Sequence, residues 1–87
     1  MINIDYDVII FKEDDIYIAY CPKLDLSSCG RDVNHAKEML NIAVKSFLEQ
    51  AEEMGSLIDI LEEAKYQKNS SGRWVPPKLI ATELVSA

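Results

Sequence analysis

The chain has 87 residues, of which 48% are hydrophobic and 28% are charged, a composition typical of one small globular domain over residues 1–87. This composition excludes an intrinsically disordered chain, and the short length leaves little room for a deep catalytic cleft beside a hydrophobic core. Fifteen Asp and Glu residues outnumber nine Lys and Arg residues, so the net charge of −6 would repel nucleic acid and favours a basic protein as partner.

Two strands are predicted at the start of the chain. Every even-numbered residue from Ile2 to Ile10 is apolar, while the odd positions from residue 3 to residue 7 are polar. This period of two is typical of a half-buried strand. The polar segment KEDD, residues 12–15, predicts a turn, and a second strand follows from Ile16 to Tyr20 until Pro22 ends it.

The pairing within this hairpin decides which side chains share a face. We place residue 12 opposite residue 16, which sets Ile10 beside Ile18 and Val8 beside Tyr20 on one face of the sheet. Five odd-numbered apolar residues then share the other face: Ile9, Phe11, Tyr17, Ala19 and Cys21.

The second face is predicted to be a partner-binding surface. One long and one short helix cover only one side of a small sheet, so five apolar side chains on the other side would form an exposed patch. We expect another copy of the chain, a partner protein, or both to cover it. The alternative is that the short helix or the C-terminal segment folds over this face.

A third short strand, about Leu26 to Cys29, is predicted to end at Gly30, and a long helix follows it. Asp32 is a favourable N-cap residue, and apolar residues recur at three-and-four spacing as far as Met54. Gly55 is expected to end this helix, because glycine is favoured just beyond a helix C-terminus.

The remaining segments complete an α+β fold. Ser56 is expected to cap a second helix from Leu57 to about Lys65, residues 67–72 to form a polar loop, and Leu79 to Val85 to form a last strand. The predicted order is β-β-β-α-α-β, with an antiparallel sheet and one long and one short helix.

The ordered set of residues resembles the HicB family of antitoxins, in which a Y-x-A-x-x-P-x-L strand leads to a short strand ending in glycine and then to a capped helix. The matching positions here are Tyr17, Ala19, Pro22, Leu24, Gly30, Asp32 and Ala36. The downstream segments GSLIDILEEAKYQ and RWVPPKLIATE are similar to those of short members, so the resemblance covers nearly the whole chain.

This resemblance implies a partial ribonuclease-H-like fold and a non-enzymatic protein that binds and neutralises a small basic ribonuclease toxin of the HicA type. Longer members carry a C-terminal DNA-binding segment, whereas this chain ends at Ala87 with a strand-like segment, so we expect no operator binding. The alternative is a solitary homo-oligomeric structural or regulatory module of the same fold that has no toxin partner. We expect self-association in either case.

No catalytic or metal-binding pattern is recognised. Asp5 and Asp7 lie on a predicted strand without convergent carboxylates, and His35 has no identifiable nucleophile partner, so we expect no catalytic residue, no metal and no cofactor. Trp74 could stack on a nucleic-acid base, but packing against the domain suits an acidic chain better.

The start of the chain has no basic region followed by a long apolar run, so we expect no secretion signal, no membrane association and a cytoplasmic location. Cys21 and Cys29 do not form a CxxC pair, and we expect two free thiols in a reducing compartment. The alternative is a cross-strand disulfide.

Overall fold

Residues 9–30 form a three-stranded antiparallel sheet in the computed structural model, which describes residues 2–87. Its strands are β1 (Ile9–Glu13), β2 (Ile16–Cys21) and β3 (Leu26–Gly30), in that spatial order. Two helices follow, α1 (Val33–Glu53) and α2 (Leu57–Glu63). The predicted α+β fold, with three antiparallel strands before one long and one short helix, is confirmed.

The chain after α2 differs from the prediction. Residues 67–72, expected as a loop, contain the two-residue strand β4 (Gln67–Lys68), which pairs with β5 (Trp74–Val75) in a separate small sheet. The predicted strand from Leu79 to Val85 is wrong, because this segment has no regular structure. Its β-rich sequence pairs with no strand within residues 2–87, and a strand requires a partner.

The N-terminal segment, residues 2–8, is mostly not a strand, although its alternating sequence predicted one. It pairs with β5 instead of extending the β1–β2 hairpin: the Asp5 amide donates to the Trp74 carbonyl at 2.9 Å, and the Trp74 amide donates to the Asn3 carbonyl at 2.9 Å. The even-numbered apolar residues of this segment still pack against the core. The period-two pattern therefore reported burial on one side correctly but not the strand partner.

Side-chain contacts add to this attachment. The Tyr66 hydroxyl donates to the Asp5 carbonyl oxygen at 2.9 Å, and the Arg73 guanidinium contacts the Asp5 carboxylate at 2.8 Å. Burial raises the pKa of the Tyr66 phenol well above its usual value. The half-buried Trp74 packs against the core, as expected for a large apolar side chain. The N-terminal segment and the β4–β5 hairpin thus hold each other on the domain.

The main core lies between α1 and the three-stranded sheet. The helix packs on β2 and β3, and one stripe of its residues is buried: Ala36, Leu40, Val44, Leu48 and Ala51. Ala19 and Cys21 of β2 face this stripe and are fully buried. Leu61 of α2 and Tyr66 close the far end of the same core cluster.

Both ends of α1 have the signals that the sequence predicted. The Asp32 carboxylate accepts a hydrogen bond from the His35 amide at 2.7 Å, which satisfies one of the unpaired amides of the first turn. Gly55 follows the helix with φ of +75°, a left-handed conformation that glycine adopts without strain. Ser56 precedes α2, but its side chain makes no capping bond.

Gly30 allows β3 to meet the first turn of α1. A Cβ atom at this position would lie 2.5 Å from the Ala36 backbone nitrogen and 2.8 Å from the His35 carbonyl carbon. Both neighbours are backbone atoms and cannot rotate away, so only a residue without a side chain fits between strand and helix.

We expect Gly30→Ala to lower the free energy of unfolding by about 1–3 kcal/mol, because the helix must shift to admit the methyl group. The matched control is Ser27→Ala on the same strand, where the side chain is exposed and a change within about 0.5 kcal/mol is expected. Urea denaturation followed by circular dichroism measures both values. Equal midpoints for the two variants would show that the approach at Gly30 is not tight.

Candidate protein-binding face

The turn between β1 and β2 determines which side chains reach each face of the sheet. Glu13 pairs with Ile16, so the loop contains two residues, Asp14 and Asp15. Asp14 has φ of 54°, a left-handed conformation that aspartate tolerates better than most residues and that two-residue hairpin loops require. The register expected from the sequence, with residue 12 opposite residue 16, implied a three-residue loop and is wrong by one position.

This shift divides the predicted binding residues between the two faces, because a slip of one residue moves a strand's side chains to the opposite side. Ala19 and Cys21 are fully buried beneath α1, and Tyr17 packs against the same core. The expectation that these three residues belong to an exposed patch is wrong. Ile9 and Phe11 lie on the side away from α1, where they pair across the strands with Tyr20 and Ile18.

The sheet nevertheless has an apolar face that α1 does not cover. We call it the open face, and it consists of Ile9, Phe11, Ile16, Ile18 and Tyr20. Phe11 is 52% exposed and Ile16 is 49% exposed, and the five side chains are absent from the hydrophobic core cluster. Of the elements within residues 2–87, only α1 packs broadly on this sheet, and it lies on the other side. The predicted second face therefore exists with a different set of residues.

A signal in the sequence distinguishes the two faces. Under α1 lie mainly small residues, Ala19, Cys21, Ser28 and Gly30, which let the helix approach the sheet closely. Large residues alternate with them in β2 and lie on the open face. Side-chain size along β2 therefore indicates which face of this strand lies beneath the helix, because small side chains let a long helix pack closely on the sheet.

Acidic and polar groups border the open face. Glu13, Asp14 and Asp15 are exposed at the tip of the β1–β2 hairpin. At the opposite end, the Tyr20 hydroxyl donates to the Asp25 carboxylate at 3.0 Å, and this hydrogen bond raises the pKa of the Tyr20 phenol. An apolar centre with a charged border is the usual composition of a protein-binding surface.

The two cysteines are separate thiols. Cys21 is buried under α1, and its burial raises the pKa of the thiol. Cys29 is exposed beside Ile18, its partner across the strands, on the side of the open face. Since the two side chains lie on opposite faces of the sheet, the alternative of a cross-strand disulfide is wrong.

The described part of the chain contains no group of three or more His, Cys, Asp or Glu side chains that could hold a metal ion. The Asp5 carboxylate is paired with Arg73, and the His35 ring accepts from the Arg31 amide at 3.1 Å through Nδ1. Within residues 2–87, no helix has the length and apolar character needed to cross a membrane.

A groove of about 630 Å³ lies between the N-terminal segment and α1. Its lining includes Val44 and Leu48 as well as Lys45 and Glu49. The Tyr6 hydroxyl donates to the Asn41 side chain at 2.8 Å, and burial raises the pKa of Tyr6. These polar groups already bind each other or face solvent, so they do not converge on one ligand position.

Comparisons with protein-family models, with curated proteins and with solved structures find no match to this chain. The resemblance to HicB antitoxins therefore depends on the sequence motifs alone. The open face, which is apolar and not covered by α1, is the candidate functional site of the structure.

A charge introduced on the open face should affect the stability of the domain less than one introduced on the face beneath α1. Phe11→Glu places a carboxylate on the open face and should change the free energy of unfolding by about 0.5 kcal/mol or less. Tyr17→Glu places it against the core and should cost about 2 kcal/mol or more, because packing is lost and a charge is desolvated. Urea denaturation of both variants checks this difference. A larger loss for Phe11→Glu than for Tyr17→Glu would contradict the assignment of the faces.

Proposed function

We propose that this chain is a non-enzymatic protein-binding module that uses its open face to bind and neutralise a small basic protein. The observation that carries the proposal is an apolar sheet face without a helix on it, in a chain of net charge −6. The resemblance to HicB antitoxins suggests the class of partner, a ribonuclease toxin of the HicA type. The proposed location is the cytoplasm, where the two free thiols of Cys21 and Cys29 would stay reduced.

The composition of the open face suits a tightly bound partner. Phe11 and Tyr20 are large aromatic residues, the type that most often contributes the central contacts of an interface. Ile9, Ile16 and Ile18 surround them with branched aliphatic surface. Removing this surface from water would supply most of the affinity and slow the dissociation of the complex.

The charge of the chain would act mainly on the rate of association. A protein that binds RNA is usually basic, and opposite charges speed the encounter of two proteins. The acids Glu13, Asp14 and Asp15 at the hairpin tip are close in sequence to Phe11 and Ile16 of the open face. They are therefore better placed to attract a basic partner to this face than the acids on the outer side of α1, across the sheet.

A second candidate is a homo-oligomeric module without a toxin partner. Exposed aliphatic residues near the C-terminus, including Ile80 and Leu84, favour self-association of some kind. A gene for a small basic protein beside this one favours the neutralising role, and its absence favours the second candidate. Both candidates predict a surface that binds protein, and neither includes catalytic activity.

The binding test uses the small basic protein that copurifies with this chain from its native cell, once mass spectrometry has identified it. We expect Phe11→Glu to weaken this complex by at least about thirty-fold, because a charge in a dry interface costs several kcal/mol. If the partner is a ribonuclease, the wild-type chain should suppress its RNA cleavage and Phe11→Glu should not.

Charge-reversal variants provide the matched control. Glu13→Lys with Asp15→Lys should slow association with the basic partner at low salt, and this effect should shrink as salt is added. Glu49→Lys, on the outer side of α1, should have a smaller effect. Unchanged affinity of Phe11→Glu for the partner would show that the open face is not the binding surface.

The proposal also predicts that the purified chain does not cleave RNA or DNA in the presence of Mg²⁺ or Mn²⁺. Two-metal cleavage needs several carboxylates directed at one point, and Asp5 already contacts Arg73. A fluorogenic RNA substrate and a plasmid assay measure this. Metal-dependent cleavage that is lost in both Asp5→Asn and Asp7→Asn would contradict the non-enzymatic role.

A further inference from the structure

The C-terminal segment, residues 78–87, is an exposed apolar tail. It has no regular structure, and its large aliphatic side chains are in solvent: Leu79 (48% exposed), Ile80 (83%), Leu84 (101%) and Val85 (77%). Ile80, Thr82 and Val85 are β-branched residues that favour strands. The radius of gyration of the chain is 14.2 Å, compared with about 12 Å expected for a compact domain of this length. The tail therefore extends beyond the domain.

The attachment of the tail favours an outward direction. Pro76 and Pro77 follow β5 directly and are half-buried. Proline fixes φ near −65° and makes the backbone stiff, and β5 is itself held by hydrogen bonds between Trp74 and the N-terminal segment. A stiff joint on a fixed strand keeps residues 78–87 away from the sheet of the same chain.

The same chain has an unpaired strand edge. β3 is the last strand of its sheet, and its outer backbone groups have no main-chain partner within residues 2–87. Its sequence, LSSCG, contains no proline and no charged residue, the features that usually protect an edge from pairing with another strand. β1, at the other edge, has Lys12 and Glu13. The β3 edge is therefore the better template for an additional strand.

The position of α1 favours the same edge. The helix packs more on β3 than on β2, and Asn41 contacts the N-terminal segment through Tyr6. The flank of α1 on the other side carries Met39 and Ala43, which are apolar and half-buried. A strand beyond β3 would lie below this flank, so its inward side chains would meet apolar surface rather than water.

We propose that the tail of one copy adds as a fourth strand to β3 of a second copy, and that the second copy returns its tail in the same way. The chain supplies both the unpaired strand and the unpaired edge, so one two-fold operation satisfies both copies. Eight large aliphatic side chains and the surfaces that receive them would bury on the order of 1,600 Å², which is the size of a stable protein interface.

This dimer does not depend on the proposed partner. Strand addition uses the backbone edge of β3 and leaves Phe11 and Ile16 of the open face exposed. The added strand would widen the sheet by about 4.8 Å. Self-association and partner binding should therefore be lost in different variants.

The first test is analytical ultracentrifugation of the full chain, which should sediment at twice the 9.9 kDa mass of one chain. The chain shortened after Pro77 should sediment as a monomer with an unchanged circular-dichroism spectrum. Ile80→Asp combined with Leu84→Asp should raise the dissociation constant of the dimer at least about thirty-fold. The control Ser86→Asp, which follows the last large aliphatic residue of the tail, should not.

A monomeric full chain at micromolar concentration would overturn this proposal, as would a shortened chain that remains dimeric. Loss of the dimer in Phe11→Glu would also overturn it, because the open face would then be the contact between copies. Retention of the dimer by Phe11→Glu together with loss of the basic partner would support both proposals independently.

The second test uses the exposed Cys29 of β3 as a marker. Chains with Cys29→Ser and either Thr82→Cys or Glu83→Cys are mixed with chains that keep Cys29, and disulfides are formed by mild oxidation. Any bond between tail and β3 must then join two copies. Strand pairing predicts that one of the two neighbouring tail positions links to Cys29 much more than the other, since adjacent side chains face opposite sides. If neither tail position forms a disulfide with Cys29, the proposed exchange of tails between copies is wrong.

Discussion

The close packing of α1 on β2 and β3 is the constraint on which the rest of this structure depends. Small residues make this packing feasible. Ala19 and Ala36 are fully buried, and Gly30 leaves no room for a side chain beside the Ala36 backbone. The helix can then bury Leu40 and Val44 completely. Since small residues must lie beneath the helix, the larger residues that alternate with them in β2 are placed on the opposite face.

The open face is thus a consequence of how the core is built. A sheet of three strands with one long helix has one covered side, and the alternation of strand side chains places Ile18 and Tyr20 on the other. In a chain with few basic residues, an apolar face with acids at its border is suited to a basic protein. The protein-binding role that we propose follows from these two features together.

The two ends of the chain have different positions in this architecture. The N-terminal segment is attached to the domain by β5, Tyr66 and Arg73. The tail has no comparable contacts, although its sequence is at least as apolar. In the two proposals, the strand-like tail and the β3 edge associate through the backbone, and the open face binds a different partner through its side chains.

The sequence by itself determined the features that depend on neighbouring residues. The order of the first three strands and two helices followed from hydrophobic periodicity, and the ends of α1 followed from Asp32 and Gly55, because capping and turn preferences act over a few residues. Ile9 and Phe11 were placed on the uncovered face although the assumed register was wrong.

Only the tertiary structure decided which elements pair and in which register. A hairpin loop of two rather than three residues moved Tyr17, Ala19 and Cys21 beneath α1, and nothing in the period-two pattern measures loop length. The pairing of the N-terminal segment with Trp74, about seventy positions away in the chain, is likewise a long-range choice. Local periodicity reports that one side of a segment is buried, but the partner that buries it is set by the packing of the whole chain.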